Sequence, residues 1–230
     1  MPVMLDARSY GSDRDEYLLV HYARHFAPLI HREVTLLEIG IGNGGSLRFW
    51  ADYFPRGRIV GLDRAAVDVG DDSGRISVYQ GLQQDVDMLD RIALDSAPDG
   101  FDIVIDDASH IGALTRISFW RLLTRHLKAG GIFVIEDWGT GYWDIWPDGR
   151  RPVLPRDSPL DVEATVSGVS ATDFPSHASG LVGVIKEIVD EVGMYDLSRL
   201  GPGTTPTRLP RIERLEILPG VVFVTRAARS

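Results

Sequence analysis

From about residue 17 to residue 194, short apolar runs alternate with stretches whose apolar positions recur at helical spacing. The runs Val34–Ile39, Arg58–Leu62, Ile76–Tyr79, Phe101–Ile105 and Gly131–Ile135 are brief and rich in β-branched residues, the pattern of strands covered on both faces. Between them, Gly45–Tyr53, Met88–Ala97 and Leu114–Leu127 predict helices. Leu181, Val184, Ile185, Ile188, Val189 and Val192 follow the i, i+3, i+4 rule and predict a last helix docked on the sheet. Alternating β and α predicts a parallel sheet of at least five strands.

After Gly201 the pattern changes. Arg211–Leu218 and Val221–Arg226 are β-prone and joined by Pro219-Gly220, which predicts an antiparallel hairpin at the end of the sheet. The expected fold is therefore α/β and Rossmann-like: a seven-stranded, mostly parallel sheet with a C-terminal antiparallel hairpin. Residues 1–230 read as a single domain, with an N-terminal helical segment at 1–33. From 139 to 179 runs a Gly-, Pro-, Asp- and Ser-rich stretch without periodicity, of the length that functional substrate-side loops have.

Composition narrows the partners. The 230 residues carry a net charge of -9, which disfavours a nucleic-acid backbone or an anionic membrane surface. There is no cysteine, so disulfides, thiolate metal sites and cysteine nucleophiles are excluded together. Met1–Glu16 has no apolar core of a signal peptide, and no stretch approaches the roughly 18 apolar residues of a membrane span. A cytoplasmic protein is expected. Lys128 and Lys186 are the only lysines among 24 basic residues, a bias that GC-rich coding produces.

Leu36-Leu37-Glu38-Ile39-Gly40-Ile41-Gly42-Asn43-Gly44-Gly45-Ser46 passes from the first strand into a helix. Glycines there let the backbone turn tightly and approach a ligand at the helix N-terminus. Asp63 closes the next strand, where a carboxylate can accept both hydroxyls of a ribose. Gly40, Gly42 and Gly45 also satisfy G-x-G-x-x-G, so a dinucleotide competes with other nucleosides at this point. The position of Glu38, the terminal hairpin and the absence of a Tyr-x-x-x-Lys pair favour S-adenosylmethionine.

The fourth strand ends in Asp106-Asp107-Ala108-Ser109-His110 and the fifth in Glu136-Asp137. Both ends open on the ligand crevice of such a sheet. Unpaired carboxylates crowded there repel one another and lose hydration, and a hard divalent cation such as Mg²⁺ removes that cost. A cation on a vicinal diol lowers a hydroxyl's pKa, and His110, three residues after Asp107, is placed to take a proton near neutral pH. The competing reading has some of these carboxylates cap helices or pair with Arg116 and Arg121. Trp138, Tyr142, Trp143 and Trp146 follow directly and suit either a sugar face or a packing role.

Glu38-x-Gly40-x-Gly42-x-Gly44 resembles motif I of the class I S-adenosylmethionine-dependent methyltransferases. Asp106-Asp107-x-Ser109-His110, Val134-Ile135-Glu136-Asp137 and Tyr10-Gly11-Ser12-Asp13 together resemble the metal-dependent sugar O-methyltransferases, including macrolide-sugar and rhamnosyl enzymes of actinobacteria. The cephalosporin hydroxylase-like proteins share much of this pattern, and a mycobacterial mannose-polysaccharide O-methyltransferase is a further relative in kind.

The resemblance implies roles. Glu38, Gly40, Gly42, Asn43, Ser46, Asp63, Arg64, Gln83 and Asp106 would serve the cofactor, with Gln83 on the adenine side. Asp107, Glu136 and Asp137 would hold Mg²⁺, and His110 would be the base. Trp138, Tyr142, Trp143 and His177 would meet the substrate. Ala108 stands where the family usually has Gly, and Ser12 and Arg14 where it has Thr and Lys. The chain as given does not include the long N-terminal domain of the macrolide-sugar enzymes, which leaves the acceptor open.

The expected activity is O-methylation of a sugar-containing acceptor, in a homo-oligomer, a dimer above all. A catechol-type acceptor, an NAD-linked oxidoreductase and a nucleotide-binding regulatory module are the rival readings.

Overall fold

The computed structural model describes residues 6–71, 73–143, 145–149, 177–201 and 203–228. Among them, one sheet contains β1 (Thr35–Ile39), β2 (Arg58–Asp63), β3 (Ile76–Gln80), β4 (Phe101–Asp106), β5 (Leu127–Glu136), β6 (Ile212–Leu218) and β7 (Val221–Arg226). Its order is β3-β2-β1-β4-β5-β7-β6, parallel from β1 to β5, with β7 antiparallel to both β5 and β6. The helices are α1 (Glu16–Phe26), α2 (Gly45–Tyr53), α3 (Val86–Ser96), α4 (Gly112–Arg125) and α5 (Gly180–Leu197).

The elements lie where the pattern places them, with shifted ends. β2, β3, β4 and β5 each run one residue past the apolar run, so that Asp63, Gln80, Asp106 and Glu136 complete their strands. β5 starts at Leu127, because Leu127 pairs with Phe101 across a register shift and Lys128 Nζ donates to Asp102 Oδ2 at 2.8 Å. Asp15 caps α1 by accepting from Leu18 N at 2.8 Å, and Asp85 caps α3 by accepting from Met88 N at 3.1 Å. The N-terminal segment expected at 1–33 contains α1 between two 3₁₀ turns, Ala7–Tyr10 and Ala27–Leu29. The segment expected at 139–179 begins inside a 3₁₀ helix, Trp138–Tyr142; residues 144 and 150–176 lie outside the described residues.

Strand periodicity splits the core in two. Leu37, Ile39, Val60, Leu62, Val104, Phe133 and Ile135 pack with α3, α4 and α5. Leu36, Ile59, Ile103, Ile105 and Val134 face the other way, with Tyr22, Phe26, Leu47 and Trp50 of α1 and α2. Each large aliphatic side chain so enclosed contributes about 1.5–3 kcal/mol relative to exposure.

One expectation for α5 fails. Leu181, Val184, Ile185 and Ile188 are buried, but Val189 and Val192 are 45% and 36% exposed. The inward position of the next turn is Glu191, which accepts from Arg208 through both oxygens at 2.7 Å and from Arg211 N at 2.9 Å. The ion cluster replaces the apolar stripe, because the chain returning to β6 passes there with two arginines.

The starts of α4 and α5 touch. A Cβ on Gly112 would lie 2.2 Å from the backbone carbon of Gly180 and 2.5 Å from Leu181 N. Asp148 Oδ2 accepts from Gly112 N at 2.6 Å and from Leu181 N at 2.8 Å, so one carboxylate caps two helices. Gly112→Ala should therefore force the helices apart and cost about 1–3 kcal/mol, as overpacking of a tight core does. Urea unfolding checks this; an unchanged midpoint would show that the contact yields freely.

Candidate active site

The site is built from the C-terminal ends of β1, β2, β4 and β5 and the segment before α1. Gly40 has φ +85°, and a Cβ there would meet Asp107 O at 2.2 Å, so only glycine lets the two chain segments pass. Asp63 Oδ2 accepts from Ile41 N at 3.0 Å and Gly42 N at 3.3 Å, which fixes the glycine turn onto the end of β2. Asn43 Oδ1 accepts from Gly45 N at 2.8 Å, and its Nδ2 donates to Gly11 O at 3.2 Å. That last bond, with Arg48 Nη2 to Tyr10 O at 3.2 Å, fastens the N-terminal segment over the loop.

Two lobes of one cleft follow. The first is lined by Ser12, Asp13, Arg14, Asn43, Ser46, Asp107, His110 and Asp137, among others. The second is lined by Arg64, Leu82, Gln83, Gln84, Ile111 and Trp146, among others. Gly40, Asp63 and Ala108 belong to both, so the lobes meet at the glycine turn.

Strand parity then sorts the carboxylates. Glu38 and Glu136 share the face of Leu36 and Val134 and point toward α1 and α2. There Arg14 Nη2 donates to Glu38 Oε1 at 2.7 Å, Glu136 Oε1 at 2.5 Å and Asp107 Oδ2 at 3.2 Å. Arg14 Nε adds a bond to Glu136 Oε1 at 2.9 Å, and Tyr22 Oη donates to the same oxygen at 2.5 Å. Ser46 Oγ holds the other oxygen of Glu38 at 2.7 Å.

Asp106 has the opposite parity. It is buried beneath α4, accepting from Ser118 Oγ at 2.7 Å and from Gln83 Nε2 at 3.3 Å. Gln83 Oε1 in turn accepts from Ser109 N at 3.2 Å, so this pair shapes the second lobe from below.

Asp107, His110 and Asp137 converge: one ligand atom from each lies within 4.8 Å of the others. His110 Nε2 is 3.6 Å from Asp137 Oδ2 and 3.9 Å from Asp107 Oδ1. His110 and Asp137 have φ of +52° and +51°, the non-glycine residues in the left-handed region among the described residues. Such conformations cost about 1–3 kcal/mol each and cluster at functional sites.

The electrostatics agree with a cation site. Burial raises the Asp107 carboxyl well above its usual range, with Glu136 adding repulsion and Arg14 offsetting part of it. Burial also raises Asp137, against the attraction of His110. Burial opposes the charge on Arg14, yet Glu136 and Glu38 hold the guanidinium firmly protonated. Three carboxylates, Glu38, Asp107 and Glu136, thus share one guanidinium, Asp137 stands beside His110, and the surplus is negative. Arg116 and Arg121 do not relieve it: they pair with Glu187 and Asp90.

The expected substrate side chains are distributed. Trp138 Nε1 donates to Leu218 O at 2.8 Å, which anchors it on the β6–β7 hairpin. Tyr142 lies between Trp138 and His177, at 6.3 and 4.8 Å between ring centroids. His177 is buried, with its Nδ1 2.9 Å from Ser179 Oγ. Trp143 is 52% exposed and lines neither lobe. Trp146 does line the cleft, its ring 5.7 Å from that of His110.

Two site residues had no assigned role in the sequence, Arg14 and Tyr22, while Trp146 was expected either on a sugar face or in a packing role. Parity was the available signal for the first two, since Glu38 and Glu136 fall on the α1 face and need a cation there.

No family model matches the chain. Mycinamicin VI 2''-O-methyltransferase of Micromonospora griseorubida is 37% identical over 205 residues, 83% of this chain and 50% of that one. The 8-demethyl-8-(2-methoxy-alpha-L-rhamnosyl)-tetracenomycin-C 3'-O-methyltransferase of Streptomyces olivaceus is 37% identical over 208 residues, 83% of this chain and 51% of that one. The chain thus spans about half the length of these curated relatives. The solved structure of MycE methyltransferase from the mycinamycin biosynthetic pathway, in complex with Mg and SAH, is similar at a TM-score of 0.73 and 34% identity, covering 96% of this chain and 53% of that one. By strand order, cleft and these likenesses, the chain belongs to the class I S-adenosylmethionine-dependent methyltransferases, and it is similar to O-methyltransferases named for mycinamicin VI and a rhamnosyl tetracenomycin.

Proposed function

We propose that this chain, as a single methyltransferase domain, transfers a methyl group from S-adenosylmethionine to a hydroxyl of a sugar-containing acceptor, with Mg²⁺ in the acidic lobe. The observation that carries this reading is the meeting of the two lobes at Gly40, Asp63 and Ala108, which sets a nucleoside-sized recess against Asp107, His110 and Asp137. The relatives, named as a 2''-O-methyltransferase of mycinamicin VI and a 3'-O-methyltransferase of a rhamnosyl tetracenomycin, support the acceptor class. The antiparallel β7 argues against the dinucleotide reading, whose sheet runs parallel throughout in the order 3-2-1-4-5-6. A catechol offers the same pair of adjacent oxygens and is separated from a sugar by an acceptor screen.

The donor set fits a hard divalent cation: carboxylate oxygens in surplus over the one guanidinium that three of them share. Asp107 and Asp137 would hold it, with Glu136 contributing Oε2, the oxygen that Arg14 and Tyr22 leave out of their bonds. When bound, the cation would lower the pKa of a coordinated hydroxyl and orient it.

His110 accepts that hydroxyl's proton as the oxygen–carbon bond forms and the sulfur–carbon bond breaks. Asp63 offers its remaining lone pairs to ribose hydroxyls, while Asn43 and Ser46 border the methionine end and Arg64 and Gln83 the adenine end. The sugar would lie against the aromatic segment, nearest Trp146, which lines the cleft, with Trp138, Tyr142 and His177 supporting that wall and Trp143 reaching only the part of an acceptor that extends beyond the two lobes. Alignment and proton removal supply the rate, since the transfer is one displacement at carbon.

We also place the protein in the cytoplasm; no helix among the described residues is long and apolar enough to cross a membrane. Pairing of two copies is part of this reading, supported by the exposed Val189, Val192 and Tyr195 of α5.

Three outcomes test it. His110→Ala should lower turnover by about 10²–10⁴-fold while Mn²⁺ and S-adenosylhomocysteine still bind; wild-type turnover from pH 6 to 9, around the histidine reference pKa of roughly 6.5, would make His110 structural. EDTA should abolish turnover and Mg²⁺ or Mn²⁺ restore it, and full activity in metal-free buffer would remove the cation from the mechanism. Asp63→Ala should weaken S-adenosylhomocysteine binding in calorimetry while unfolding stays cooperative; unchanged affinity would place the ribose elsewhere.

A further inference from the structure

The guanidinium of Arg14 is locked in place. Its side chain is 2% exposed, and the rings of Tyr22 and Trp50 flank its central carbon at 5.8 and 5.6 Å. It bonds carboxylates from the ends of three strands, and two of these, Asp107 and Glu136, are also ligands in the cation reading above. Its Nη2 lies between Asp107 Oδ2 at 3.2 Å and Glu136 Oε1 at 2.5 Å, bridging two carboxylates that each keep a second oxygen. In a two-metal centre a carboxylate can span two cations, one oxygen on each, and the ions sit about 3.5–4 Å apart. Here one of the two cation positions is filled by a side chain that cannot leave.

We infer that Arg14 serves as a built-in organic cation in the second cation position of the acidic centre, limiting it to one exchangeable divalent ion and setting that ion's affinity. This rests on the cation reading of Asp107, Glu136 and Asp137. Without Arg14 the same carboxylates hold a larger negative surplus, so a mobile cation is drawn in more strongly. A merely structural bolt predicts the opposite sign, because ligands that lose their brace bind an ion no better or worse.

The test is Mn²⁺ titration of the full chain, with free ion followed by electron paramagnetic resonance and thermal unfolding run in parallel. Wild type should bind one Mn²⁺ per chain. Arg14→Gln should bind Mn²⁺ at least about tenfold more tightly, or take up a second ion, and Arg14→Lys, which keeps the charge, should return to the wild-type pattern. Equal or weaker binding by Arg14→Gln overturns the inference.

If Arg14→Gln folds only with metal, the rise in Tm on adding Mn²⁺ becomes the readout, and a rise no larger than that of wild type also overturns it. Glu38→Gln provides a second route. It removes the carboxylate behind Arg14, leaves the guanidinium's charge to Asp107 and Glu136, and should weaken Mn²⁺ binding; unchanged affinity counts against the inference. Failure of wild type to bind Mn²⁺ at all would instead overturn the underlying cation reading.

Discussion

The ion cluster on Arg14 is the constraint around which the rest of the site is arranged. Glu38 and Glu136 are enclosed among aromatic and aliphatic side chains, where an uncompensated charge is untenable. One guanidinium satisfies both and reaches Asp107 as well. Removing one member of such a buried network typically costs about 3–5 kcal/mol, because the partners are left charged and unpaired. The network also explains why the segment ahead of α1 belongs to the site. Arg14 draws it across the strand ends, and Tyr10 Oη to Asp52 Oδ2 at 2.7 Å and the bonds to Asn43 and Arg48 keep it there.

Strand periodicity divides labour among carboxylates that are adjacent in sequence. Successive side chains leave opposite faces of a strand. Asp106 therefore goes under α4 and is spent on Ser118 and Gln83, while Asp107, one residue on, has left the strand and opens into the cleft. Glu136 and Asp137 divide in the same manner: the first turns to Arg14 and Tyr22, the second to His110.

The residues aimed into the cleft are the strained ones. His110 and Asp137 are both left-handed, and the two turns they occupy are joined by Thr140 Oγ1 to His110 O at 3.2 Å. Asp137 N donates to Gly220 O at 2.7 Å, so the β6–β7 turn holds the other side. The double cap by Asp148 holds the short segment that carries Trp146, whose ring lies 5.7 Å from that of His110. Stable surroundings thus hold two unfavourable backbone conformations, which lets the imidazole face two carboxylates at once.

By itself the sequence determined the architecture, since hydrophobic runs of period two and period 3.6 are local and can be read one segment at a time. The parallel strands, the hairpin at Pro219-Gly220 and the glycine turn lie where those patterns place them. Of the convergence expected of Asp106, Asp107, Glu136, Asp137 and His110, the structure gathers Asp107, His110 and Asp137, because strand ends of a parallel sheet share one edge, while Asp106 and Glu136 turn to Ser118 and Arg14. The partners of those groups were decided by tertiary structure alone. Arg14 is 122 residues from Glu136 and 93 from Asp107, and no local pattern reports a contact over that separation. The same holds for Glu191, whose arginines turn α5 away from the apolar stripe its spacing predicts, and for Trp146, which reaches the cleft only because Asp148 caps two helices that start side by side. Periodicity fixes which face a side chain leaves, whereas charge pairing across the fold fixes what it meets there.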